Sequence, residues 1–125
     1  MIKCLSFDLD DTLWDIRPVI EHVDTTLYQW LAAHAPAYTQ MFAADNFALL
    51  RKEVIEQYPH LAHSVTDIRL KGLNLGLARA GYNANKVSML TAEGFAVALK
   101  ARQQVSYFPH VWQALDQLKA QGYVM

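Results

Sequence analysis

The sequence predicts an α/β fold in which a thin sheet layer is interrupted by an all-helical module, and three features carry that reading. An apolar run, Ile2 to Phe7, ends abruptly in the acidic stretch Asp8-Leu9-Asp10-Asp11. Residues 17–105 then repeat their apolar positions at helical spacing. Tyr123-Val124-Met125 finally reads as the opening of a second strand.

The run from Ile2 to Phe7 has the composition of a buried strand, with Cys4 as a small core residue inside it. After the acidic loop, Pro18 suits the first position of a helix, because that N–H has no intrahelical partner to lose. Val19, Ile20, Val23, Leu27, Trp30 and Leu31 form its apolar face, and Ala35-Pro36 ends it. A second helix is expected over 39–58, with Phe47, Leu50, Val54 and Tyr58 as its stripe and Pro59 beyond its end. Ser64, with Asp67 three positions on, resembles a capping arrangement for a third helix. That helix carries Ile68, Leu70, Leu73, Leu77 and Ala80, and Gly81 is a left-handed terminator. Gly72 and Gly76 share one of its faces, which either admits a close neighbour or loosens the helix. A fourth helix, 85–104, uses Val87, Leu90, Val97 and Ala101. Tyr107-Phe108-Pro109 breaks the chain before a fifth, whose stripe is Val111, Trp112, Leu115 and Leu118 and which Gly122 closes.

A chain of 125 residues is long enough for one domain with a core. With 53% hydrophobic and 18% charged residues it is globular rather than disordered. A net charge of -1 and the lack of a basic stripe interleaved with aromatics argue against a nucleic-acid partner. The single cysteine forms no internal disulfide and fits a reducing, cytoplasmic setting. Asp8 breaks the N-terminal apolar run too early for a signal segment, and no run approaches the roughly 18 residues of a membrane span.

The acidic loop carries the chemistry. Three carboxylates in four positions repel one another unless a cation neutralises them, which points to a divalent metal. A carboxylate at the end of a rigid parallel strand is placed for in-line attack on phosphorus, and Asp8 is that candidate nucleophile. Asp10, two residues on and pointing the same way from an extended segment, is the candidate proton donor and acceptor. Backbone N–H groups just past Asp8 form a candidate phosphate-binding loop through Leu9, Asp11 and Thr12. Asp11 belongs to the few non-glycine types that tolerate a left-handed turn. Thr12 is expected to fix the loop through hydroxyl-to-backbone bonds. Trp14 and Arg17 leave this loop and are candidates for touching substrate; packing and helix initiation are the competing roles. His60 and His63 have a spacing that could bind metal on a helix, but no third ligand accompanies them, so they read as a solvated loop. Lys71, Arg79, Lys100 and Arg102 read as solvated helix faces, although any could face a substrate.

Phe7-Asp8-Leu9-Asp10-Asp11-Thr12-Leu13 resembles the first signature motif of the haloacid-dehalogenase superfamily of phosphotransferases. The resemblance implies that Asp8 is the nucleophile and a magnesium ligand, and that Asp10 is the general acid and base, its backbone carbonyl also on the metal. It implies a partial Rossmann-like core, residues 1–16 and 106–125, with residues 17–105 as an inserted helical cap. Dehalogenating members lack an acid at the position of Asp10, so its presence favours phosphomonoester hydrolysis. Phe7 through Asp15 with Arg17-Pro18-Val19-Ile20, and later Val65-Thr66 with Arg69, is similar to bacterial phosphatases acting on flavin mononucleotide and phosphorylated ribitylaminouracil.

The expected activity is therefore magnesium-dependent hydrolysis of a small phosphorylated metabolite through an aspartyl-phosphate, with Mg2+ as cofactor. The family's phosphate-binding Ser or Thr, its Lys and its later acidic pair should lie beyond Met125. The sequence is thus expected to be the N-terminal half of something larger, inactive on its own, with an unfinished sheet edge open to self-association. The alternative is a non-catalytic fragment serving as a binding or dimerisation module. A phosphoryl-shuttling mutase using the same Asp8 is a third reading.

Overall fold

A computed structural model describes residues 1–125. Six helices and one short 3-10 turn account for its regular structure: α1 Ile16–His34, α2 Pro36–Met41, α3 Asn46–Gln57, the turn Pro59–Leu61, α4 Val65–Arg79, α5 Ala84–Arg102 and α6 Val111–Ala120.

The two segments expected as strands pair in parallel but only at one point. Cys4 bridges Val124, with Leu5 N–H donating to Val124 O at 2.8 Å and Val124 N–H to Lys3 O at 2.9 Å. The parallel direction is the one expected of a strand, a crossover and a second strand. Burial is not: Ile2 is 70% exposed, and Cys4 is exposed rather than a core residue. A segment paired along one edge, with no second layer over its faces, has nothing to be buried against. The same reason leaves α6 without a single buried residue and Trp112 59% exposed.

The helices are where the core lies. α1 starts at Ile16, two residues before the expected Pro18, because the Asp15 carboxylate accepts from Arg17 N–H at 3.0 Å and caps it. Pro18 then falls inside the first turn, still among positions whose N–H has no partner. Val19, Val23, Leu27 and Leu31, spaced by four, are its buried stripe. Full burial of each such side chain stabilises by about 1.5–3 kcal/mol. α1 packs on α5, α5 on α4, and α4 on α3.

The expected second helix is two helices. The chain leaves the helical region at Phe42 (φ -120°, ψ 137°) and re-enters at Asn46. That break stacks Tyr38, fully buried, on Phe47 at a ring separation of 5.9 Å, with Phe42 tilted against it at 5.1 Å. Tyr28 secures it by donating its hydroxyl to Phe42 O at 2.8 Å. α4 is capped as expected, Ser64 Oγ accepting from Asp67 N–H at 3.2 Å, and Gly81 ends it at φ 98°. Gly76 is the close-approach position: a Cβ there would lie 2.7 Å from Tyr38 Cε2. α5 begins at the Asn83 cap, whose side chain accepts from Lys86 N–H at 2.9 Å. No helix is long and apolar enough to cross a membrane.

Candidate functional site

The acidic loop is shaped by its own backbone. Asp11 N–H donates to Trp14 O at 2.7 Å, and Thr12 and Leu13 N–H both donate to Leu9 O, at 3.2 and 2.9 Å. Asp11 takes φ 60°, the left-handed turn its residue type allows. The tie expected from the Thr12 hydroxyl is made by Asp11 instead, whose carboxylate accepts from Ile16 N–H at 3.0 Å. A carboxylate one atom longer than a threonine hydroxyl reaches the first turn of α1. Of the backbone donors past Asp8, those of Asp11 and Thr12 are spent inside the loop. Those of Leu9 and Asp10 donate to nothing in the chain.

Asp10 is anchored twice. Trp14 Nε1–H donates to its Oδ1 at 2.9 Å, and Arg102 Nη2 reaches Oδ1 and Oδ2 at 2.7 and 2.8 Å. Trp14 is buried, meets Tyr107 edge-on at 5.5 Å, and bridges both Asp10 and Tyr107. Phe108 N–H donates to Leu13 O at 2.8 Å, so the loop is clamped from the far end of the sequence. Asp8 is exposed and its carboxylate holds no hydrogen bond or ion pair.

Asp10 also lines a cleft of about 380 Å³. Its floor is aliphatic, drawn from Ile16 and Ile20 of α1, Ile55 of α3, and Val65 and Ile68 of α4. Arg51, Arg69 and Arg102 enter it from three helices. Asp10 alone of the predicted site residues lines this cleft: Asp8, the loop residues Leu9, Asp11 and Thr12, Trp14 and Arg17 do not, and Arg17 is exposed on the first turn of α1. The structure thus gathers Asp10 with Arg102, which the sequence presented as a solvated face, with Arg69, which entered only through a family resemblance, and with Arg51, which the sequence did not single out.

The fold matches the crystal structure of 2-haloacid dehalogenase from Pseudomonas syringae pv. Tomato DC3000 with a TM-score of 0.81. The match has 35% sequence identity and covers 98% of this chain and 53% of that one. The fold is that of the haloacid-dehalogenase superfamily. A curated relative, 5-amino-6-(5-phospho-D-ribitylamino)uracil phosphatase YigB of Escherichia coli (strain K12), is 34% identical over 87 residues. That alignment takes in 70% of this chain and 36% of YigB. The chain therefore spans about half the length of the solved relative and just over a third of the curated one. No family model matches the chain.

Members of the haloacid-dehalogenase superfamily typically use magnesium, and the donor atoms here fit part of a magnesium shell. The Asp8 carboxylate and the Asp10 backbone carbonyl accept no hydrogen bond within the chain, and both are hard oxygen donors. The Asp10 carboxylate is taken by Arg102 and Trp14, so a metal contribution from Asp10 falls to its carbonyl. No three His, Cys, Asp or Glu side chains converge anywhere, and His60 and His63 are no exception. About six oxygens surround Mg2+, so further donors must come from water or another group.

Sequence reasoning missed the role of Arg102. It sits in the last turn of a helix with the spacing of any solvated basic residue, and its partner is 92 positions away. Only the packing of α5 on α1 brings them together.

Proposed function

We propose that this chain carries the nucleophile and the acid–base residue of a magnesium-dependent hydrolase acting on small phosphomonoesters. The observation that carries it is the pair on one loop: Asp8, exposed and unpaired, and two residues on Asp10, fixed by Trp14 and Arg102 at the edge of a cleft. The likeness to a phosphatase and to a dehalogenase supports hydrolysis at the coarse level, and an acid at position 10 favours the phosphate ester.

In this reading Asp8 attacks phosphorus, forming an aspartyl-phosphate as the ester P–O bond breaks. Asp10 gives its proton to the departing alcohol, then takes one from the water that attacks the phosphoenzyme, so Asp8 is regenerated and phosphate leaves. The free N–H groups of Leu9 and Asp10 hold phosphate oxygens. Magnesium, when bound, neutralises charge between the Asp8 carboxylate and the dianionic ester. Residues 1–16 with 106–125 act as the core and 17–105 as the cap. The reading extends to a cytoplasmic setting and to self-association along the open edge beside Cys4 and Val124.

The test is phosphate release by the intact protein from an aryl phosphate with magnesium, beside halide release from a 2-haloacid. Phosphate release lost in Asp8→Asn supports the reading. Halide release without phosphate release, or full phosphatase activity in that variant, overturns it.

A further inference from the structure

The cleft beside Asp10 holds three guanidinium groups, and two of them are matched. Arg102 is on Asp10, and Arg51 Nη1 is on both oxygens of Asp24 at 3.0 and 3.1 Å. Arg69, half-buried on the second turn of α4, makes no hydrogen bond and belongs to no ion pair. A guanidinium cannot shed its proton to escape burial, so a desolvated one without a partner is left with an unmet demand for an oxyanion. Burial pushes the Arg69 guanidinium below its ordinary value; Asp24 opposes this, while Arg51 and Arg102 add to it. The acids that share a cavity wall with Arg69 are both occupied, Asp10 by Arg102 and Asp24 by Arg51.

The walls around Arg69 are aliphatic, from Ile20, Ile55, Val65 and Ile68. They offer no further polar side chain to complete the guanidinium, and a cleft of about 380 Å³ lies within the range of about 300–1,000 Å³ that takes small organic molecules. Inorganic anions would satisfy the charge and leave the apolar wall wet. Neutral hydrocarbons would cover the wall and leave Arg69 unmatched.

We infer that the cleft is a binding site for a small organic anion, an apolar body ending in a carboxylate or phosphate that Arg69 holds in a forked contact. The consequence for turnover rests on the phosphatase reading: the preferred ester would carry a second anionic group distal to the scissile phosphate.

The test is titration of the 125-residue chain with hexanoate, hexanol and acetate, followed by calorimetry and by amide shifts of α1 and α4. Hexanoate should bind at least about ten-fold more tightly than either hexanol or acetate. Arg69→Gln should remove that preference, Arg69→Lys should keep part of it, and Arg79→Gln on the opposite pair should change nothing. Hexanol binding as tightly as hexanoate in the unaltered protein overturns the site, whatever the variants do, as does undiminished hexanoate binding in a folded Arg69→Gln. Hexanoate cannot be hydrolysed, so this arm stands apart from catalysis. Phosphate release from 6-phosphooxyhexanoate against hexyl phosphate is the second arm: a lower KM for the former, lost in Arg69→Gln with kcat kept, joins the two readings. Binding of hexanoate by this chain, with no phosphate release by the intact protein, leaves the site standing and removes the phosphatase; phosphate release with no preference for the distal charge removes the site's role in turnover.

Discussion

Arg102 closes on both carboxylate oxygens of Asp10 across 92 positions of sequence, and the indole of Trp14 donates to one of the same oxygens. A carboxylate held from two directions presents its remaining lone pairs in a fixed orientation, which is what a proton-transfer group requires. Both side chains remain partly exposed, 33% for Arg102 and 44% for Asp10, so the pair is positioning more than stabilising. Arg102→Gln should alter unfolding free energy by less than about 1 kcal/mol. It should reduce phosphate release more than it reduces stability, and it should shift Trp14 emission. A large loss of stability in urea with unchanged turnover would assign Arg102 to the fold alone.

Asp8→Asn should abolish phosphate release while leaving stability within about 0.5 kcal/mol, since the side chain is exposed and holds nothing. Asp10→Asn should slow release by about 10²–10⁴. Steady-state kinetics beside chemical denaturation separates the two effects. Chelation of magnesium should stop turnover, and added magnesium should restore it.

Gly76→Ala should destabilise the chain by about 1–3 kcal/mol. The new methyl would meet the buried Tyr38 ring at 2.7 Å and Leu50 Cδ1 at 3.1 Å. Better helix propensity returns only about 1 kcal/mol. Gly72→Ala, where the nearest contact is Leu50 Cβ at 3.6 Å, should be neutral or stabilising. Thermal melts of the two variants give the comparison.

Thr91 is buried in α5 with its hydroxyl satisfied by no partner. Thr91→Val keeps the shape and removes the unmet polar group, so it should stabilise by about 1 kcal/mol. Urea midpoints decide it, and a loss of stability would place a water on that hydroxyl.

Two groups set opposite ends of the pH profile. Burial lifts the phenol of Tyr38 above its ordinary 10.0, against the hydrogen bond from Asn46, which lowers it. A folded-state value above the unfolded one means the contribution is whole below about pH 10 and fades above it. Tyr38→Phe should remove that alkaline limb. Arg79 holds Glu53 below its ordinary 4.5. That contribution is present above the unfolded value and lost as pH falls through the folded one, so Glu53→Gln should flatten the acid limb. Melting curves at stepped pH read both.

Much of the helical layout was legible because local chemistry dictates it. Ser64 and Gly81 announced the two ends of α4, and the four-residue spacing of Val19, Val23, Leu27 and Leu31 announced the face of α1. The break at Phe42 was not legible. Nothing near it disfavours a helix; it accompanies the stacking of Phe47 on Tyr38, nine positions away, which an unbroken helix would not allow. The Ile2–Phe7 segment misled on burial for the complementary reason: apolar composition expresses a demand for cover, and cover is a property of the surroundings. Asp8 and Asp10 were visible as a pair, and the left-handed Asp11 with them. Their long-range company, Arg102 and the unpartnered Arg69, could not be, because no local pattern distinguishes a basic residue facing water from one facing a cleft.

The contact between Cys4 and Val124 joins segments 120 positions apart. Shutting a ring of that length costs on the order of 4 kcal/mol of chain entropy, which helix packing must already have offset. These two segments should consequently zip together after the helices have docked, and tryptophan emission in stopped-flow refolding should change in the last phase. The loop bearing Asp8 and Asp10 would then reach its final geometry only as these segments pair, so an incompletely folded molecule would not present the two carboxylates together.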